Sequence, residues 1–216
     1  MFVESMTFEE IRQEFEKDKY FLIRKIAEHS KQVLKLMRKT NMRTYNKYFE
    51  YISPRKNHWY YCFKASPDKA KGKMFVEQYC CFYTYRSYAI INYSLEADKL
   101  FYYTSHFFTR YFEREGLDTQ DPHKVIKLFI DSNPLVASQP LADVGNGVWT
   151  LFAQMSTGVG LGYMHRKIKL EEFRTFISND MLKGTQVELS KQLEERFKLH
   201  IVRNSPADGI ANPNQH

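Results

Sequence analysis

Apolar residues recur mostly at three- and four-residue steps between Thr7 and about Lys39: Phe8, Ile11, Phe15, Leu22, Ile26, Val33 and Met37. That period belongs to a helix with one apolar stripe, and Thr7 followed three positions later by Glu10 is a capping box that opens it. At ~1.5 Å per residue the helix would be ~50 Å long. Its first half is expected to pack across its own sheet. A kink near Asp18 and Lys19, projection as an arm, and pairing with another chain are the alternatives. The pattern then changes to short aromatic and β-branched runs over Trp59 to Lys64, Phe75 to Tyr85 and Tyr88 to Tyr93. The loop from Pro67 to Gly72 and a tight turn at Tyr85 to Ser87 separate them, so they read as an antiparallel meander.

Leu100 to Tyr103 reads as a further strand that stops at a helix. Thr104 and Ser105 offer N-cap hydroxyls and Gly116 a C-terminal stop. At 100° per residue Phe107, Phe108, Tyr111 and Phe112 group on one side of this helix, and His106, Arg110, Glu113 and Arg114 on the other. Pro122 to Ile130 carries Val125, Ile126, Phe129 and Ile130 at helical spacing. Asn133 to Asp143 reads as a loop, and Gly145-Asn146-Gly147 as a turn. Val148 to Met155 and Val159 to Met164 form a hairpin in which Gly158, Gly160 and Gly162 leave one face without side chains, so a core aromatic ring or a ligand approaches that backbone closely.

Phe173 to Ser178 reads as a strand with Arg174 and Phe176 on one face and Thr175 and Ile177 on the other, preceded by a solvated turn at Glu171-Glu172. Thr185 with Glu188 opens a last helix to about His200, with Leu189, Leu193 and Phe197 as its stripe. The expected class is α+β: an antiparallel sheet with a long N-terminal helix, short central helices and a C-terminal helix. Residues 1–40 hold the long helix, 41–204 the α+β domain, and 205–216 a polar tail without regular pattern, expected to be disordered.

Composition adds a partner class. The net charge is +7 and 16% of the 216 residues are aromatic, which favours an anionic partner. The basic excess concentrates between Asn41 and Lys73, where Arg43, Lys47, Arg55, Lys56, Lys64, Lys71 and Lys73 interleave with Tyr and with Trp59. Cations that neutralise phosphates beside rings that stack on bases are a footprint for RNA or another nucleic acid. The alternative is a solvated hairpin whose aromatics face inward.

Cys62, Cys80 and Cys81 are odd in number, and adjacent strand cysteines point to opposite faces, so reduced thiols and a cytoplasmic setting are expected. No stretch reads as a signal peptide or membrane span, and no membrane partner is expected. There is no HExxH, no paired CxxC and no EF-hand loop, so neither a metal nor a cofactor is expected.

The strand ending at Thr104-Ser105-His106, with Arg110 and Arg114, Gly116-Leu117, an amphipathic helix and a glycine-bearing hairpin, resembles the RelE and BrnT superfamily of small bacterial toxins. In particular it resembles the branch with a His-x-x-x-Arg-x-x-x-Arg-x-Gly helix. The resemblance covers roughly residues 100–178 and implies a short helical region against an antiparallel sheet, and metal-free RNA cleavage by His, Arg, Lys or Tyr side chains. The chemistry agrees with the residues: His106 for proton transfer, and Arg110 and Arg114 as planar forks for phosphate oxygens. Tyr103, Thr175 and His165 are supporting candidates. The expectation is a metal-independent endoribonuclease, with a toxin or defence effector as its implied setting. A non-catalytic nucleic-acid-binding protein, and an oligomeric interaction protein built on the N-terminal helix, are the alternatives.

Overall fold

The computed structural model describes residues 1–40, 45–65, 75–84, 88–95, 97–119, 121–133 and 136–204, with the side chains of residues 64, 65, 75, 77 and 197–204 left out. The turn residues Tyr85 to Ser87, the loop Pro67 to Gly72 and the polar tail all lie outside the described residues.

Reciprocal capping starts the first helix. The Thr7 N–H donates to Glu10 Oε2 at 2.7 Å and the Glu10 N–H to Thr7 Oγ1 at 3.2 Å, opening α1 over Phe8–Thr40. The meander follows as β1 (Tyr45–Ile52), β2 (His58–Ala65), β3 (Phe75–Tyr83), β4 (Tyr88–Ser94) and β5 (Lys99–Tyr103). Next come α2 (Ser105–Arg114) and α3 (Pro122–Ser132), then β6 (Ala137–Gly145), β7 (Val148–Gln154), β8 (Gly158–His165), β9 (Leu170–Ser178) and α4 (Thr185–Asn204).

The nine strands form one sheet in the order β1-β2-β3-β4-β5-β9-β8-β7-β6. Every neighbouring pair is antiparallel except β5 and β9, which run parallel where the two meanders meet. The class is therefore α+β, as expected.

The sheet is buried on both faces. On one lies α1, whose Ile11, Phe15, Leu22, Ile26 and Val33 share a core with Trp59, Tyr61, Phe63, Ile91 and Leu100. Fully burying a side chain such as Phe15 stabilises by about 1.5–3 kcal/mol. The apolar contacts continue to Val33 and Met37, so α1 packs along most of its length. On the other face α2 and α3 supply Phe107, Phe108, Tyr111, Val125, Ile126 and Phe129 against Tyr103, Leu151, Phe173 and Phe176. The adjacent thiols divide accordingly, Cys80 toward α1 and Cys81 toward α2 and α3. Burial pushes both up, Cys81 to about 12.

Asp98 ties α1 to the sheet. It accepts from Lys19 Nζ at 2.6 Å, Lys169 Nζ at 3.0 Å and the Tyr93 hydroxyl at 2.9 Å. The lysine bonds, Lys19 first, hold its carboxyl well below the usual range.

Three local readings change. Ala137–Gly145 is an edge strand with bulges around Asp143, not a loop; Pro140 is tolerated there because an edge strand needs fewer N–H donors. β9 begins at Leu170, so Glu171 and Glu172 are not a solvated turn: they are 0% and 4% exposed. Lys99 and Ser138 bond the Glu171 carboxylate, and Arg174 Nε donates to Glu172 Oε1 at 2.7 Å. Finally, Phe173 and Phe176 lie on the same face although three residues apart, because Arg174 is an extra residue opposite the step from Leu161 to Gly162.

The glycines of β8 explain the curvature of this half. A Cβ at Gly160 would stand 2.8 Å from the Phe173 ring and 2.8 Å from Met155, and one at Gly158 would stand 2.7 Å from the Phe176 ring. Core rings therefore occupy the bare face. Ser138 of β6 reaches Glu171 of β9 at 2.9 Å across two intervening strands, so the sheet curls with this face inside. Gly160→Ala is expected to destabilise the fold by about 1–3 kcal/mol through overpacking, read as a lower denaturation midpoint. An unchanged midpoint would show that the rings do not fill this space.

Candidate acid-base site

The β5–α2 junction forms as the spacing requires. Thr104 caps α2 through its hydroxyl, which accepts from the Phe107 N–H at 3.2 Å, and its own N–H donates to the Phe173 carbonyl at 3.0 Å. Phe107, Phe108 and Tyr111 are buried, while His106 is exposed and Arg110 and Arg114 are half-buried. His106 makes no hydrogen bond or ion pair among the described residues. Arg110 Nη1 donates to Glu113 Oε2 at 2.8 Å, a surface pair worth about 0.3–0.5 kcal/mol. Arg114 Nη1 is buried without a partner. The row exists, but nothing orients its imidazole.

The supporting candidates do not join it. Tyr103 is 4% exposed and stacks on Phe173 at a 4.7 Å centroid distance, beneath α2 rather than beside His106. Thr175 stands opposite Leu161, whose side chain packs under α4, so it faces away from α2. His165 lies against Phe8 of α1 at 4.7 Å, with Nε2 3.7 Å from Glu172.

The basic and aromatic segment is equally divided. Arg43, Lys71 and Lys73 lie outside the described residues, as does the side chain of Lys64. Trp59 is 0% exposed, and its indole N–H donates to Asp18 Oδ2 at 2.7 Å, so it cannot stack on a base. Tyr61 and Phe63 are buried beside it. These aromatics face inward because the alternation of β2 points them at α1. Arg55 is engaged by buried Glu14, donating from Nε at 3.0 Å and Nη2 at 2.6 Å. Of the described candidates, Lys47, Arg55 and Lys56 are exposed, Arg55 with its guanidinium held by Glu14.

The opposite face of β2 carries a group the sequence reading missed. His58 and Tyr60 alternate on the strand toward α3, which begins at Pro122 with Asp121 capping the His123 N–H. The Tyr60 hydroxyl lies 3.2 Å from His58 Nδ1 and 3.4 Å from His123 Nε2. Both imidazoles pack against the phenol ring, at centroid distances of 4.5 and 4.6 Å. On its far side His58 Nε2 meets Glu50 Oε2 at 3.2 Å.

With neutral rings the bonding has one consistent direction. A carboxylate only accepts, so His58 Nε2 carries hydrogen and its Nδ1 accepts from the Tyr60 hydroxyl. The Tyr60 oxygen is then left to accept from His123 Nε2–H. That leaves a lone pair on His123 Nδ1, a buried nitrogen with no partner. Burial pushes the Tyr60 hydroxyl up to about 12, so it remains a donor at neutral pH. Lys127 stands over the neighbouring Tyr48 ring at 4.4 Å, and Tyr48 donates to Asp131 at 2.6 Å. The usable signal in the sequence was the alternation of His58 and Tyr60, but the meeting with His123 is tertiary.

No protein-family model, curated protein or solved structure matches this chain. Among the described residues no group of three or more His, Cys, Asp or Glu is placed to hold a metal ion, and no helix is long and apolar enough to cross a membrane.

The Arg55 contact has a measurable pH signature. Its hydrogen bond to Glu14 holds that carboxyl down at about 2 against an ordinary 4.5. A depressed carboxyl pKa stabilises the fold above the unfolded value, and this stabilisation is lost as pH falls through the folded one. Arg55→Gln is expected to lower stability at neutral pH, because it leaves the buried Glu14 carboxylate short of a partner. The gap from wild type should close between about pH 4.5 and 2, followed by denaturant melts across that range.

Proposed function

We propose that the protein acts on RNA by metal-independent acid-base chemistry, with His58 and His123 as its proton-transfer pair. The observation that carries this reading is the pair of imidazoles flanking one phenol, one of them braced by a carboxylate. General acid-base catalysis needs an acid and a base held in place by neighbouring groups so that each can reach the proton it moves, and among the described residues His106 has no such neighbour. The net charge of +7 favours a polyanionic substrate, and the resemblance of residues 100–178 to metal-free RNA-cleaving toxins points to the same chemistry.

In this mechanism one imidazole accepts the proton of a 2′-hydroxyl as its oxygen bonds to the adjacent phosphorus. The other, which enters the step as imidazolium, protonates the departing 5′-oxygen and ends neutral, leaving a cyclic phosphate end, so that one proton passes from the 2′-hydroxyl to the 5′-oxygen. Tyr60 bridges the two rings through its hydroxyl, and Lys124 and Lys127, both exposed on α3, supply positive charge near the site.

Mixed RNA incubated in EDTA with wild type, His58→Gln, His123→Gln and His106→Ala tests this directly. Wild type is expected to leave cyclic or 3′-phosphate ends. Either glutamine variant should be slower by roughly 10²–10⁴-fold, with RNA affinity nearly unchanged and His106→Ala close to wild type. Loss of cleavage in His106→Ala alone would move the centre to the α2 row. Salt-sensitive RNA binding with no cleavage by any variant would make this a binding protein.

A further inference from the structure

The solvent side of α1 carries a second pattern, independent of the acid-base site. Opposite the buried stripe, Tyr20 is 67% and Ile23 36% exposed, with Ala27 exposed one turn further along the same line. Toward the N-terminus this line continues with Glu9 and Glu16, and toward the C-terminus with Lys31 and Arg38. The outer face is thus acidic, then apolar, then basic.

A second α1 laid antiparallel, with the midpoint between Ile23 and Arg24 on the two-fold axis, sets Ile23 against the Arg24 stem of the other copy and brings opposite charges together on both flanks. Glu9 meets Arg38 of the second copy, Glu16 meets its Lys31, and the large Tyr20 ring meets its small Ala27. An isologous interface requires each such contact to occur twice. A parallel pair would set Glu16 on Glu16 and Lys31 on Lys31. Packing two helices with apolar residues at the centre and opposite charges at the flanks is what fixes partner and orientation in helical pairs.

We propose that the outer face of α1 is the seam of an antiparallel homodimer. The curved sheet of each copy then lies outside the helix pair, and the His58–Tyr60–His123 group, on the opposite face of the sheet from α1, stays open in both. The dimer would present two such sites on its two outer surfaces.

Light scattering of the full chain across a concentration series is expected to show a dimer, and Ile23→Glu a monomer with unchanged helix content by circular dichroism. Lys31→Glu should weaken association by about tenfold or more, and the charge swap Glu16→Lys with Lys31→Glu should restore it. Orientation is read by oxidising Glu16→Cys and Lys31→Cys chains. These positions lie ~22 Å apart along the helix at ~1.5 Å per residue, so neither variant should cross-link with itself through the new cysteine, while a mixture of the two should. A monomer at every concentration, a self-cross-link specific to either single variant, or a dimer untouched by Ile23→Glu would each overturn the proposal.

Discussion

The packing of Phe173 and Phe176 against the bare backbone of β8 is the constraint on which the second half of the fold depends. Two rings lie where Gly158 and Gly160 offer no Cβ, and each would collide with one. That close approach lets the sheet curl until β6 reaches β9, and the bulge at Arg174 is what brings both rings to the inner face. The same face receives α2, whose Phe107 meets both rings at 6.1 and 5.8 Å. Aromatic pairs of this kind contribute about 0.5–1.5 kcal/mol each beyond area burial, so β9 sets the position of α2 together with the Thr104 cap, whose N–H donates to the Phe173 carbonyl.

Across the sheet, buried polar groups rather than rings set the placement of α1. Glu14 and Asp18 are 3% and 0% exposed, an arrangement that is strongly unfavourable without hydrogen-bonding partners. Arg55 meets Glu14, while Asn57 Nδ2 at 2.9 Å and the Trp59 indole at 2.7 Å meet Asp18. These bonds lock the helix to the β1–β2 turn in one register, and Asp98 locks it again at the β4–β5 turn. Residues whose charge and aromaticity resemble a nucleic-acid surface are in part consumed by this work.

What is left over is chemically more specific than the basic segment. Tyr60 stacks on Tyr79 at the margin of the core, yet its hydroxyl is turned to His58 and His123 on the face where α3 begins. If α1 pairs with a second copy on the opposite side, one face of the sheet builds the assembly while the other carries the chemistry. Because α1 and α3 cover different faces, changes to one surface need not disturb the other.

The sequence by itself determined the elements whose signals are local. The Thr7–Glu10 box and the Thr104 cap depend on residues three apart, and the stripes of α1, α2 and α3 depend on a 3.6-residue period. The division of Cys80 from Cys81 depends on strand alternation, and the glycine triplet announced a close approach. Only the tertiary structure decided the rest. The buried carboxylates of β9 look like a solvated turn until Lys99, Ser138 and Arg174 arrive from elsewhere in the chain. The parity of Phe173 and Phe176 depends on a bulge set by the partner strand. Trp59 and Arg55 read as nucleic-acid contacts because nothing local reveals that Asp18 and Glu14, some forty positions earlier, would take their hydrogens. His58 and His123 are separated by more than sixty residues and meet only because α3 docks on β2. Backbone periodicity is a short-range property of the chain, whereas the partners of a buried polar group are chosen by packing.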